Sequence, residues 1–280
     1  MKRIKFSCKS ILLRKCLFLG AVVSLSFLPA INAQEASNSA QASHAASVTD
    51  HDSKIPPGTI LPIVLRTSIA VRKSKPGDPI RGQIAQGVPL SNGLKIPKGS
   101  EVEGRIVEVE QGGTAHGPKV ALQFDRIKFQ GQTVRLVTNA RAIAGLMEVE
   151  EAGVPTEAPS EGTPFNWLDK SQIGGDSVYG LDGPVTSGED SSKVVGKSVN
   201  DGVLAHVSAK SGTKCRGAVA GNNDLQAVWV FSSDGCGVYG IEHLKIVHAG
   251  RTEPKGTIVL MSETANLKLR DGDGLLLRVD

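Results

Sequence analysis

Aromatic residues are scarce in this chain: two Trp, two Tyr and seven Phe among 280 residues. No basic cluster is interleaved with them. This removes the pairing of stacking rings with phosphate-neutralising cations on which nucleic-acid binding relies. The formal net charge of +4 does not argue otherwise. Six cations and no acid fall within residues 1–33, so residues 34–280 carry −2. Long apolar runs are also lacking. The stretch from Cys16 to Pro29 is shorter than the ~20 residues a spanning helix needs, and Ser24 and Ser26 dilute it.

Catalytic signatures are missing as well. The chain has no G-x-S-x-G, phosphate loop or dinucleotide fingerprint. GGDSVYG (174–180) and TAHG (114–117) imitate a serine-protease nucleophile and histidine, but poorly. Val178 and Tyr179 stand where small residues would build the oxyanion turn, and His116 lies too close in sequence to Ser177 for two barrels to intervene. The six histidines, at 44, 51, 116, 206, 243 and 248, form no ligand series. DGDG (271–274) lacks the remaining ligands and the terminal Glu of a calcium loop, and reads as a turn. The expectation is a protein without enzymatic activity, metal or cofactor.

What is present begins with a leader. Lys2, Arg3, Lys5, Lys9, Arg14 and Lys15 precede the apolar run, and AINAQ ends it with Ala33 at the −1 position. Residues 1–33 therefore read as a signal peptide, with an uncleaved anchor as the alternative. Intact-mass analysis of protein from the native host is expected to find the chain starting at Gln34. Recovery of the full chain in the inner membrane would mean an anchor. Residues 34–54, rich in Ala, Ser, Gln and Asn, read as a flexible tether.

Cys8 and Cys16 leave with the leader, so Cys215 and Cys236 remain as a pair in an oxidising compartment. They are expected to form a disulfide, which on the chain-entropy account stabilises the fold by about 3 kcal/mol.

From Ile55 the chain alternates like β-structure. TILPIVLRTSIAV (59–71), PIRGQIAQGVPL (79–90), KIPKGSEVEGRIVEVE (95–110), KVALQFDRIKF (119–129) and TVRLVTNA (133–140) are punctuated by KPGD, SNG, KGS, QGG and QGQ. Within 119–129, Val120, Leu122 and Phe124 share one parity, whereas Ile127 and Phe129 take the other. An extra residue near Asp125-Arg126 restores one face, which predicts a β-bulge or change of sheet there. NARAIAGLMEVEEAG (139–153) suggests a short helix through Ile143, Leu146 and Met147. The Glu- and Pro-rich 148–164 reads as a solvated linker. Residues 165–250 read as a β-rich insertion, with Leu225, Ala227, Trp229 and Phe231 on one face of LQAVWVF. Residues 251–280 return as strands to the first β domain, which spans 55–147. The predicted fold class is mainly β, an antiparallel partial barrel with a disulfide-tied β-rich insertion.

Three motifs carry a resemblance: Gly58-Thr59-Ile60-Leu61-Pro62, Ile96-Pro97-Lys98-Gly99-Ser100 and Phe129-Gln130-Gly131-Gln132. Residues 55–140, about a third of the chain, resemble the C-terminal β-barrel domain of the TrbI-like family, and 255–280 could supply its last strands. These are envelope scaffolds of conjugation and type IV secretion machines. On this resemblance the IPKGS segment is the hairpin linking two barrel strands. The chain departs from the family in its cleavable-looking leader, its short tether, and 150–250 in place of a membrane-inserting helical hairpin.

The function expected is an exported scaffold or protein-interaction module of the periplasm or cell envelope. Its partners would be envelope proteins or further copies of itself, and any membrane association would run through them. The rival is a secreted ligand- or glycan-binding β module whose site uses Trp167, Tyr179 and Trp229. A hydrolase of unrecognised type is the weaker rival.

Overall fold

The computed structural model describes residues 55–280 except 92, 114, 115, 157–159, 165, 166 and 209–223. Its strands are β1 (Ile60–Leu65), β2 (Ile69–Ala70), β3 (Pro79–Ile84), β4 (Val88–Pro89), β5 (Lys95–Ile96), β6 (Glu101–Glu110), β7 (Lys119–Phe129), β8 (Gln132–Arg135) and β9 (Thr138–Ala144). The helix α1 (Leu146–Glu151) follows. Then come β10 (Asp169–Ser171), β11 (Ser177–Tyr179), β12 (Pro184–Thr186), β13 (Val194–Val199), β14 (Gly202–Ala205) and β15 (Gln226–Ala227). The chain finishes with β16 (Gly237–Tyr239), β17 (Leu244–His248), β18 (Ile258–Ser262), β19 (Lys268–Leu269) and β20 (Gly274–Val279).

The fold is mainly β, and one sheet curls into a nearly closed barrel. Its strands run in the order β16, β9, β20, β1, β3, β6, β7, β18, β17, with β8 added on β7. All pairs are antiparallel except β16 with β9. The two ends of the sheet approach each other, where the Ala140 N–H of β9 donates to the Ala249 carbonyl just beyond β17 at 2.8 Å. The C-terminal strands are integral to this sheet: β18 pairs with β7, and β20 lies between β1 and β9.

Bulges bend the strands into this curve. In β7, Arg126 faces Glu103 and Phe124 faces Gly104, leaving Asp125 as the extra residue. Phe124 and Ile127 thereby both point into the core, as the parity change along 119–129 predicts. Gly104 is required opposite the bulge, because a Cβ there would lie 2.1 Å from the Gln123 carbonyl oxygen. A second bulge in β9 places Arg141 as the extra residue between Ala140, which faces Leu277, and Ala142, which faces Leu276.

Three barrel strands are buried on both faces. Leu61, Ile63, Ile143, Leu275 and Leu277 fill the interior with Ile80, Val102 and Leu122. Ile60, Ala142, Ala144 and Leu276 point outward into a second core, closed by Phe231, Ile173 and the partly buried Trp229 and Val149. This explains the unbroken apolar runs ILPIVL and LLL, which a strand wet on one face would not carry. Elsewhere the outer face is charged. Lys128 bridges Glu101 and Glu103, Arg81 meets Glu101, and Arg126 meets Glu103. The Lys128 hydrogen bond holds the Glu103 carboxyl below its usual range. An apolar interior with charge outside is the inverse of a barrel built to face lipid. Among the described residues no helix is long and apolar enough to cross a membrane.

The insertion forms a separate six-stranded sheet, β10 to β15 in sequence order, with Val178, Val185, Val195 and Val203 on its buried face. It ends at Ala227, short of the expected 250, because β16 and β17 go to the barrel.

Three further expectations are corrected. The 139–153 helix is only α1, while Ile143 lies in β9. The IPKGS hairpin does not join two barrel strands: β5 pairs with β4 in a small ribbon, and β3 and β6 pair with each other across that excursion. LQAVWVF is a strand only at Gln226–Ala227, since Trp229 takes φ +55° and the chain turns. DGDG is a turn as read: Asp273 is buried and accepts N–H bonds from Arg270 and Leu146, at 2.7 and 2.9 Å.

Candidate functional site

Two of the three sequence-predicted aromatics meet on the insertion. In the β10–β11 pair, Asp169 stands opposite Tyr179 and Lys170 opposite Val178. Val178 is buried in the insertion core, so alternation turns Tyr179 and Asp169 to the other, open face. Directly paired residues on one face hold their Cβ atoms roughly 5 Å apart. The turn after β11 brings round Asp182. Gly180 takes φ +64° there, and Gly183 lies so near the Tyr179 carbonyl that a Cβ would fall 1.8 Å from its oxygen. Trp167 completes the wall, its N–H donating to the Pro164 carbonyl at 2.9 Å while 70% of its surface stays exposed.

These residues line an open cleft of about 320 Å³. Asp169 and Asp182 are both exposed, and neither carboxylate takes a hydrogen bond or ion pair from another described residue. Gly180 and Leu181 also form the wall of a second, more apolar cleft of about 280 Å³, lined by Leu168, Val199, Trp229 and Val230 among others.

Trp229 is thus a neighbour of the first cleft and not part of it. Its ring packs on the outer face of the barrel, 3.1 Å from where a Cβ on Gly274 would sit. Its backbone is gripped on both sides: the N–H donates to Gln86 Oε1 at 2.6 Å, and the carbonyl accepts from Gln172 Nε2 at 3.2 Å. A left-handed backbone at a bulky residue is costly and persists where the surroundings over-determine it. Trp229 joins insertion to barrel. Sequence reasoning missed Asp169, Leu181 and Asp182, although Asp169 and Tyr179 flank the buried β10–β11 pair with the parity of an open face.

Other groupings of polar residues are weaker candidates. A cleft of about 540 Å³ at one end of the barrel is lined by Arg105, Asp125, Arg126, Arg135 and Asp280. Two of its arginines pair with one acid, through Arg105–Asp125 and Arg126–Asp125. His116 lies by Glu110 in a barrel loop, whereas Ser177 begins β11 in the other sheet. Among the described residues no group of three or more His, Cys, Asp or Glu could hold a metal ion.

No protein-family model, curated protein or solved structure matches this chain.

Proposed function

We propose that this chain is an exported cell-envelope protein acting as a non-enzymatic scaffold that holds partner proteins through its insertion. The observation that carries this reading is the pairing of Trp167 and Tyr179 in one open cleft, on a sheet bolted to a barrel whose interior is filled. Exposed aromatic pairs beside apolar pockets are the usual anchors of protein interfaces. The signal-peptide reading of residues 1–33, which lie outside the described residues, supports export, and the resemblance to TrbI-like barrel domains supports an envelope setting. The rival reading, a ligand- or glycan-binding module, draws on the same cleft. The disulfide belongs to this proposal too, since Cys215 lies outside the described residues. Non-reducing peptide mapping of the exported protein is expected to recover the 215–236 pair, and two freely alkylated thiols would remove it.

Crosslinking in the native envelope, followed by capture of the chain, tests the scaffold reading. Trp167→Ala with Tyr179→Ala is expected to reduce the crosslinked partner by about tenfold or more, as losing aromatic anchors does elsewhere. Both side chains are exposed, so the fold should be unchanged. Equal capture by the variant and the unaltered chain would overturn the assignment of this cleft.

A further inference from the structure

We infer that the Trp167–Tyr179 cleft receives a cationic side chain, Lys or Arg, from the protein partner, with an adjacent apolar side chain entering the neighbouring cleft. This rests on the scaffold reading and names the chemistry of its partner. Two kinds of group line the first cleft. Trp167 and Tyr179 offer ring faces, which attract a cation through their quadrupole. Asp169 and Asp182 offer carboxylates, which only accept hydrogen bonds. Lys and Arg head groups only donate, so the two inventories are complementary. Among the described residues no basic side chain lines this cleft to compete for the carboxylates.

The neutral alternative fits less well. A sugar hydroxyl both donates and accepts, and sites for it mix amides and hydroxyls with acids. Here the polar side chains are two acids, a phenol and an indole, and neither acid takes a hydrogen bond or ion pair from another described residue.

The second half of the inference comes from the shared wall. Gly180 and Leu181 border both clefts, so one short segment crossing Leu181 can place a cation on one side and an apolar group on the other. The apolar cleft contributes Leu168, Val199 and Val230, and its walls are held by the Trp229 anchorage. An exposed cation site alone binds weakly and is screened by salt. The apolar neighbour therefore supplies the remaining affinity and fixes the order of the two partner residues.

The test uses the chain without its leader and three acetylated, amidated tetrapeptides: Gly-Arg-Leu-Gly, Gly-Gln-Leu-Gly and Gly-Arg-Gly-Gly. Titration is followed through the indole N–H signals of Trp167 and Trp229 in nitrogen–proton correlation spectra. The Arg-Leu peptide is expected to shift the Trp167 signal with a Kd of roughly 1 mM, a modest affinity for so small a ligand. Replacing Arg by Gln should weaken binding by about tenfold, and replacing Leu by Gly should weaken it and abolish any shift at Trp229. Asp169→Asn with Asp182→Asn should reproduce the loss seen with the Gln peptide while leaving the remaining amide spectrum unchanged. Equal binding of the Arg and Gln peptides, or no shift at Trp167, overturns the inference. A neutral oligosaccharide such as cellotriose shifting Trp167 more strongly than the Arg-Leu peptide also overturns it, in favour of glycan binding. If the peptides fail while the Trp167/Tyr179 variant still loses its envelope partner, the scaffold reading stands and only the cationic specificity falls.

Discussion

Arg141→Met should lower the stability of the folded chain by about 3–5 kcal/mol, read as a shifted urea midpoint with an unchanged slope. Arg141 is the extra residue of the β9 bulge, and its buried guanidinium caps three carbonyls. Nε donates to Gly235 O at 3.0 Å, and one terminal nitrogen donates to Ser208 O and Ser233 O at 2.7 and 3.2 Å. Methionine fills much of the volume but leaves Gly235 O and Ser208 O without this donor, at about 1–3 kcal/mol for each group that water cannot reach, while Ser233 O keeps the Ser208 N–H. Arg141→Lys should lose less than Met but still destabilise, since a single ammonium cannot reproduce the planar fork. Burial, with repulsion from Arg251 second, pulls the Arg141 pKa down to about 10. The folded chain then holds this proton less tightly than the unfolded chain. The linked stability therefore rises from about pH 10 up to the ordinary guanidinium range, so the charge itself is a cost at neutral pH. The carbonyl bonds offset it. A loss under about 1 kcal/mol for the Met variant would show that these bonds contribute little.

Gln86→Leu is the second large effect, about 2–4 kcal/mol by the same measurement. Gln86 is buried just after β3 and reaches into the insertion. Its Oε1 accepts from Trp229 N at 2.6 Å and Val203 N at 3.1 Å, and its Nε2 donates to Val203 O at 2.9 Å. Leucine matches its length and matches none of these bonds. Two backbone N–H groups, those of Val203 and Trp229, would be left buried and unpaired, Val203 O would keep only the Val228 N–H, and the left-handed Trp229 would lose one of its two grips. Amide exchange at Val203 and Trp229 should quicken well beyond that of the barrel strands, because the damage lies where the two sheets join. Uniform quickening across barrel and insertion would mean instead that the two unfold as one unit.

Both residues show where reading the sequence stops. An i to i+3 step between apolar residues means a helix turn or a bulged strand, and spacing alone does not separate them. In 119–129 the step from Phe124 to Ile127 sits inside a long alternating run, and there the bulge was legible. In 139–153 the spacing of Ile143, Leu146 and Met147 reads as helix and hides the corresponding step, from Ala140 to Ile143, among alanines. What decides for a strand is pairing with β20, a partner far along the chain, where Gly274 faces Ala144 and Val279 faces Thr138. The insertion's end was misplaced for a similar reason. Strands β16 and β17 have the same local pattern as their neighbours in sequence, and only the unfilled gap of the barrel recruits them.

Among the site residues, Trp167 and Tyr179 were legible as scarce aromatics, whereas Asp169 and Asp182 were two acids among 28. Cross-strand register and the tight Gly180–Gly183 turn bring them to the rings. Trp229 was legible as an aromatic too, but its backbone turns left-handed and its ring goes to the barrel.

By itself the sequence determined what depends on neighbours along the chain: β-alternation, glycine and proline turns, the bulge in 119–129, and the return of 251–280 as strands. The tertiary structure alone decided which faces of β1, β9 and β20 are covered, where Arg141 and Gln86 find their partners, and which aromatics share a cleft. Those outcomes turn on contacts between residues far apart in sequence, whose hydrogen-bonding and apolar demands can be met in several ways until the sheets close on each other.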